Sequence, residues 1–500
     1  MSIFNAKKPR VTAWAGCLIC GAVLSLAFPR TNFWWLSWVS LCPLMILSFH
    51  PRLRTTLACG LAFGAGFFGC HLYWIAIFGK LPWLALTLFQ SLYIVAWVLA
   101  VRYAGIRLGP WGRLLLLPSA WVCMEWLRSI GMLGFTWGDI GYSQHQLLPL
   151  IQIASLTGVW GVSFLIAAWN AMLANIATYW NTGRRSISYQ VCAVLLLLSA
   201  VLVYGVAAMR SPMPTDRQVE AAAIQGNINT DTEHDLAYFE RCHGTYWSLT
   251  RKAALAGATL IVWPETAEPG YPARDQFLEY SLSQLALETR SYILLGAHDE
   301  DQQGRYFNSG FLIAPGQGIV GRYSKVRLVP FGEYVPARRY LPFLSYYRVT
   351  SVDLTAGTDF NLLKAGRTKI GLAICFESIF PYICRTLTHS GAEILCIITN
   401  DAWFERTAAA EQHASKSVLR AIENGRYVVR AATTGVSCII DPHGRILARK
   451  GIFEQGIVKA KIVPLRRKTL YTRMGDWFVF LCFGVTGGLT IWSLCKRMTN

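Results

Sequence analysis

At 500 residues, 53% hydrophobic and only 15% charged, with a mean hydropathy of +0.35, the chain is too apolar for an ordinary soluble protein; soluble domains run near ~25% charged. Its formal charge of +19 would suit a nucleic-acid binder. The basic residues, however, are dispersed through short links between apolar runs, where membrane topology accounts for many of them and disfavours nucleic acid as a partner.

Eight apolar runs can be placed along the chain, at 12–29, 32–49, 57–77, 80–100, 112–130, 148–178, 189–209 and 476–494. Each approaches or exceeds the ~20 residues that a helix needs to cross a bilayer. Between the fifth and sixth, GMLGFTWGDIGYSQHQL (131–147) is too polar and glycine-rich for a span and reads as a loop or re-entrant piece. Lys7, Lys8 and Arg10 precede the first run, and Lys496 and Arg497 follow the last. Alternate links carry Arg52 and Arg54, then Arg102, Arg107 and Arg113, then Arg184 and Arg185, whereas the opposite links hold Arg30, Lys80 and Arg128 singly. This bias puts both termini in the cytoplasm, keeps the first run as an uncleaved anchor, and leaves 210–475 on the far side. A transporter or channel with an accessory outer domain is the weaker reading. Coupled carriers hold ionisable residues inside their spans, and here His71, Glu125 and Arg128 sit near the ends. His71 is expected to pack between helices, with a lipid site as the alternative.

From 210 to 475 the pattern changes to short apolar strands alternating with helices. Strands are expected at 219–226, 258–265, 291–298, 307–314, 318–325, 369–376, 392–399, 427–433 and 436–441, and helices at 232–257, 273–289, 379–389 and 407–424. Continuous apolar strands between helices indicate a layered α/β domain with a sizeable core. PGQG and DPHG read as hairpin turns. Cys242, Cys375, Cys384, Cys396 and Cys438 make an odd set without CxxC spacing, so at least one thiol stays free and no zinc site is indicated. The expected division is 1–209 with seven spans, 210–475 as the outer domain, and 476–500 as the eighth span and tail.

Ligands of α/β folds gather at the carboxyl ends of strands. Three polar residues occupy such positions: Glu265 after IVWP, Lys325 after GRYS, and Cys375 after KIGLAI. Singly, each has a bland reading, as a helix cap, a surface lysine and a buried structural thiol. Together they offer a nucleophile, a base to take its proton, and a cation for a developing oxyanion.

The stretches VWPETAEPG, YSKVRLVPFGEYVP, GLAICFESIFP and TNDAWF resemble the nitrilase superfamily in residue type, order and spacing. More closely, with FPRTNFWWLSWVSLCPL and the 138–165 segment, nearly the whole chain resembles the apolipoprotein N-acyltransferases. The resemblance implies an α-β-β-α sandwich domain carried by about eight membrane helices. It assigns Glu265 as general base, Lys325 as the essential lysine and Cys375 as nucleophile, with Glu333, Phe376 and Glu377 supporting the site. Phe376 stands where relatives more often have tyrosine, and the tryptophan that usually follows QGNI is missing, with His234 near its place.

The implied reaction is a ping-pong acyl transfer without metal or organic cofactor. A phospholipid would donate the acyl chain to Cys375, and the α-amine of a diacylglyceryl-cysteine lipoprotein would accept it. A membrane-anchored amidase acting on a small amide or nitrile is the alternative. Trp403 and Phe404 are either core or the border of an acyl-chain entrance. ARRYLPFLSYYRV (337–349), with Tyr346 and Tyr347, is either a lipid-dipping edge or a packed loop. A monomer in a bacterial inner membrane, with its catalytic domain periplasmic, completes the expectation.

Overall fold

The computed structural model describes residues 11–214, 216–228, 236–336, 338 and 353–498. The chain separates into two compact units, Met1–Arg210 with Asp476–Asn500, and Ser211–Gly475.

The first unit is helical. Among the described residues four helices are long and apolar enough to cross a membrane: Leu53–His71, Lys80–Gly105, Val159–Met209 and Trp477–Lys496. The remaining apolar runs are cut short for identifiable reasons. The first forms the 15-residue helix Val11–Ser25. The second is divided into short turns, Trp34–Leu36, Ser37–Ser40 and Cys42–Leu47, the last with proline in its opening turn. The fifth, Pro110–Ser129, contains Pro118 and the charged Arg113, Glu125 and Arg128. The sixth opens with the short helices Leu148–Ile151 and Ala154–Thr157, and its remainder joins the seventh in one of the long elements, the 51-residue Val159–Met209, broken only at Gly183, where φ −144° and ψ 38° leave the helical region.

Leu81, Leu84, Leu88 and Leu92 recur at helical spacing and are each more than half exposed, an apolar stripe that water would solvate poorly and lipid well. Helices Val11–Ser25 and Leu53–His71 pack together through glycine, since a Cβ on Gly21 would stand 2.1 Å from the Phe63 carbonyl oxygen. Small residues permit such close backbone approach between membrane helices. The 131–147 stretch is a loop with one 3-10 turn, Ile140–Gln144, exposed at residues 131–133 and buried over 136–144. Arg128 pins it: the guanidinium pairs with Asp139 at 3.0 Å and donates to Gln90 Oε1 and the Trp137 carbonyl. Glu125 accepts from Trp121 Nε1 and the Ile140 N–H. His71 is buried with its ring stacked on Phe67, which is the packing role expected of it.

The second unit contains two six-stranded sheets. Its strands are β1 (Val219–Gln225), β2 (Leu260–Val262), β3 (Tyr292–Glu300), β4 (Tyr306–Ala314), β5 (Gly318–Ser324), β6 (Leu363–Ala365), β7 (Thr368–Ile374), β8 (Ile394–Thr399), β9 (Val428–Ala432), β10 (Ser437–Ile440), β11 (Ile446–Lys450) and β12 (Gly456–Ile462). The orders are β12-β1-β2-β3-β4-β5 and β11-β10-β9-β8-β7-β6. Helices Leu236–Leu255 and Gln276–Thr289 pack on the first sheet, Pro381–His389 and Ala409–Asn424 on the second, and the sheets pack on each other through β1 with β9 and β4 with β7. This is the α-β-β-α sandwich expected.

β1, β2 and β3 run parallel, and two antiparallel steps through β4 return β5 to the same direction. β7, β8 and β9 are parallel in the second sheet. PGQG and DPHG do form hairpins, linking β4 to β5 and β10 to β11. The first and last strands, β1 and β12, are antiparallel neighbours with Val219 opposite Ile462.

Candidate active site

Each of the three polar residues singled out in the sequence follows a strand. Lys325 comes directly after β5 and Cys375 directly after β7. Glu265 is a small correction to the expected strand 258–265, because β2 stops at Val262 and leaves the Trp-Pro-Glu turn beyond it. Pro264 has no N–H to give a ladder, which explains the early stop. The Pro264 carbonyl instead accepts from the Gly296 N–H of β3 at 3.1 Å, docking the turn on the neighbouring strand.

Glu265, Lys325 and Glu333 form one buried charge cluster. Lys325 Nζ donates to Glu265 Oε1 at 3.1 Å and to Glu333 Oε1 at 2.8 Å, and its side chain is 1% exposed. Asn308, from β4, joins both acids by donating to Glu265 at 2.7 Å and to Glu333 at 2.9 Å. The second Glu265 oxygen accepts the Asn400 N–H at 2.7 Å, and the second Glu333 oxygen accepts the Val329 N–H at 2.8 Å. Burial alone would raise the Glu265 carboxyl, but the Lys325 charge and these donors hold it below the ordinary carboxylate range. Burial likewise opposes the Lys325 charge, and two carboxylates reverse that and keep the ammonium protonated well beyond its usual range.

Cys375 begins a short 3-10 turn, Cys375–Ile379, and has φ +52°. A left-handed non-glycine residue stores strain. Of the five cysteines of this unit it is the one not fully buried. Its thiol is kept neutral by burial and by the Glu265 carboxylate, against the opposing pull of Lys325. Glu377 ties the turn to the lysine strand. It accepts the Ile374 N–H at 2.7 Å, the Val326 N–H at 2.7 Å and the Tyr323 hydroxyl at 3.0 Å. Burial pushes its carboxyl up to about 7. Phe376 is buried, with its ring edge-on to Phe380 at 5.0 Å.

The Trp403–Phe404 pair is split. Trp403 is 54% exposed, whereas Phe404 leans on the His413 ring at 6.0 Å. Tyr346, Tyr347 and His234 lie outside the described residues, as does 337–349 apart from Arg338, which pairs with Asp353 at 2.7 Å. Asn308 was missed in the sequence, where FNSGF reads as plain strand. The buried set His413, Asp401 and Arg430 was missed too, although an arginine inside the apolar strand YVVRAAT was a signal that a carboxylate must face it. Among the described residues no group of His, Cys, Asp and Glu is arranged to hold a metal.

A thiol at a strained turn after a parallel strand, beside a carboxylate–ammonium–carboxylate cluster in a double-sheet sandwich, defines a carbon–nitrogen hydrolase-type enzyme. The family profile described as carbon-nitrogen hydrolase matches residues 220–469, and that of the apolipoprotein N-acyltransferase N-terminal domain matches 20–172. The apolipoprotein N-acyltransferase of Geobacter metallireducens is 35% identical over 497 residues, covering 96% of this chain and 94% of its own. That of Methylococcus capsulatus is 32% identical, covering 93% and 94%. Among solved structures, an amidase from Nesterenkonia sp. aligns with a TM-score of 0.39 at 17% identity, covering 50% of this chain and 91% of its own. The chain belongs to the apolipoprotein N-acyltransferase family. A stand-alone amidase is not favoured, because the curated relatives match across both units.

Proposed function

We propose that this protein transfers a fatty acyl chain from a phospholipid to the α-amine of a lipoprotein's N-terminal diacylglyceryl-cysteine, through a thioester on Cys375. The observation that carries the reading is the buried Glu265–Lys325–Glu333 cluster in electrostatic reach of the largely buried Cys375 thiol. In the resting site the thiol is neutral and Glu265 is ionised. As the sulfur attacks the ester carbonyl, Glu265 takes its proton, an S–C bond forms and the carbonyl electrons move onto oxygen. Lys325 meets that oxyanion. Once Glu265 is protonated, Glu333 alone balances the ammonium, so the cluster passes from net negative to neutral and the cation turns more fully to the new charge. The C–O bond then breaks, and Glu265 returns the proton to the departing lysophospholipid oxygen.

In the second half-reaction the neutral amine attacks the thioester, Glu265 accepts its proton, and the C–S bond breaks as Glu265 hands that proton to the departing sulfur, leaving an amide, the thiol and an ionised Glu265. A thioester is more reactive to amines than the oxygen ester it came from. The second carboxylate therefore has a physical role: it keeps Lys325 charged while Glu265 cycles between its two states. Apolar helices in the first unit support a bilayer location, and the arginine bias supports cytoplasmic termini with 211–475 outside.

The test is acyl-enzyme formation from labelled phospholipid by purified protein. Cys375→Ala is expected to be membrane-inserted and to form none, and Glu265→Gln to slow formation by about 10²–10⁴-fold, the range for loss of a general base. Normal labelling of the cysteine variant would sink the nucleophile assignment. Release of free fatty acid regardless of amine acceptor would favour a hydrolase instead.

A further inference from the structure

A second buried polar cluster meets the turn of Cys375 from helix Ala409–Asn424, and the mechanism above does not use it. His413 is 1% exposed. Its Nε2 stands 3.2 Å from the Cys375 carbonyl oxygen and 2.8 Å from Ser378 Oγ, and its Nδ1 lies 2.9 Å from Asp401 Oδ1 and 3.1 Å from Arg430 Nη2. Asp401 also accepts from Thr399 Oγ1 at 2.7 Å and from Arg430 Nη2 at 2.9 Å. Thr399 in turn reaches the Cys375 thiol.

These contacts hold the ring at both nitrogens. At Nδ1 the Asp401 carboxylate can only accept, so at 2.9 Å it calls for a hydrogen there. At Nε2 the ring meets Ser378 Oγ, which also lies 2.8 Å from the Cys375 carbonyl oxygen. Burial and the Arg430 charge push the imidazole below its ordinary range, while Asp401 pulls the other way.

We propose that His413 is a positioning residue: anchored to Asp401 at Nδ1, it braces Ser378 and the Cys375 carbonyl at Nε2 and holds the nucleophile in its left-handed turn. Its ring meets the backbone of Cys375, and the base role stays with Glu265. The strain of φ +52° at Cys375 needs such over-determination to persist. Ser378, His413 and Glu377 supply it, the first two at the carbonyl and the third through the preceding N–H. The cluster is tightly seated, since a Cβ on Gly435 would fall 2.3 Å from Asp401 Oδ2.

The inference rests on Cys375 being the nucleophile, so Cys375→Ala is run alongside; acyl labelling of that variant would overturn the reading beneath rather than the clamp. Single-turnover acylation is measured on full-length protein carrying His413→Asn or His413→Gln. Asparagine places its amide near Nδ1 and falls short of the Cys375 carbonyl, whereas the glutamine amide reaches it. The asparagine variant is expected to acylate about 10²-fold more slowly, the scale of a misplaced reacting group, with half-saturating phospholipid unchanged. Glutamine is expected to recover to within about tenfold of the native rate and to keep the native pH profile, as a proton-independent clamp requires. Glutamine as slow as asparagine, a changed pH profile in the glutamine variant, or a native rate with asparagine would each overturn the proposal. Should neither variant fold, ¹⁵N-histidine spectra of the native protein decide it. One of the nine histidines is expected to keep its ring-nitrogen signals unchanged from about pH 5 to 9, and titration of every histidine over that range would refute the assignment.

Discussion

Lys325 carries two carboxylates in a space almost closed to water, so the residue proposed to meet the oxyanion also ties the fold together. Removing one member of a buried ionic set leaves the others uncompensated and costs about 3–5 kcal/mol. Lys325→Met is therefore expected to lower the unfolding free energy by that order as well as to abolish acylation, with chemical denaturation as the check. The acid limb follows from Glu265. Its carboxyl titrates lower in the folded protein than in the unfolded chain, so its stabilisation is complete above about pH 4.3 and fades as the pH falls through the lower folded value. Lys325 has the opposite sign. Its contribution is complete below about pH 10.4 and is lost only as the pH climbs through a still higher folded value. Neither group changes charge near neutrality, so Glu265 and Lys325 give acyl-enzyme formation no pH dependence from about pH 6 to 8, and any modest slope there belongs to Glu377, whose carboxyl lies at about 7. Complete turnover, measured with a lipopeptide acceptor, should instead rise over that range as an α-amine with pKa near ~8 loses its proton. An acylation rate that rises as steeply as turnover would contradict this division.

The elements set the site by meeting at strand ends, and their junctions are sensitive to small volumes. Gly296 in β3 faces the Glu265 turn so closely that a Cβ there would lie 2.6 Å from the Pro264 carbonyl oxygen and 2.7 Å from Glu265 Cα. Gly296→Ala must push that turn off the strand, so acylation is expected to fall about 10²-fold, and more than melting temperature would forecast. Parallel activity and stability losses would say that the turn is merely packed. The strands bearing Glu265, Lys325 and Cys375 were legible because buried strands read as unbroken apolar runs, and the motifs VWPE, YSK and CFE stand beside them. β6, β11 and β12 were not. β6 is three residues long, and β11 and β12 interleave lysine or arginine with apolar residues, as partly exposed edges do. The clamp under Cys375 was hidden for a different reason. His413 lies on a helix in which nine of sixteen residues are polar, yet every residue of Ala409–Asn424 except Glu411 is buried. Only tertiary contact reveals which of its polar groups have partners.

Across the whole molecule, hydropathy identified a membrane protein more readily than it identified individual helices. Runs of similar apolar content became a 15-residue helix, a broken set of turns and half of a 51-residue element, because proline, glycine and charge decide where a helix can continue. One polar residue of the helical unit lies where the last long helix begins. Asp476 accepts from Trp126 Nε1 and from Trp160 Nε1, both at 3.1 Å. Asp476→Ala leaves two indole donors without their acceptor and is expected to cost about 1–3 kcal/mol, read as a lower melting temperature in detergent. An unchanged melting temperature would show that water replaces the carboxylate without loss.

The pairing of β1 with β12 bears on how such a chain could arise. A body whose first and last strands are bonded neighbours has its two loose ends at one corner, like a clasped purse. It can be spliced into a connection between two helices of a pre-existing membrane protein without stretching that host, and removed again without leaving a gap. Modularity of this kind leaves the chemistry at the strand ends undisturbed by the choice of carrier.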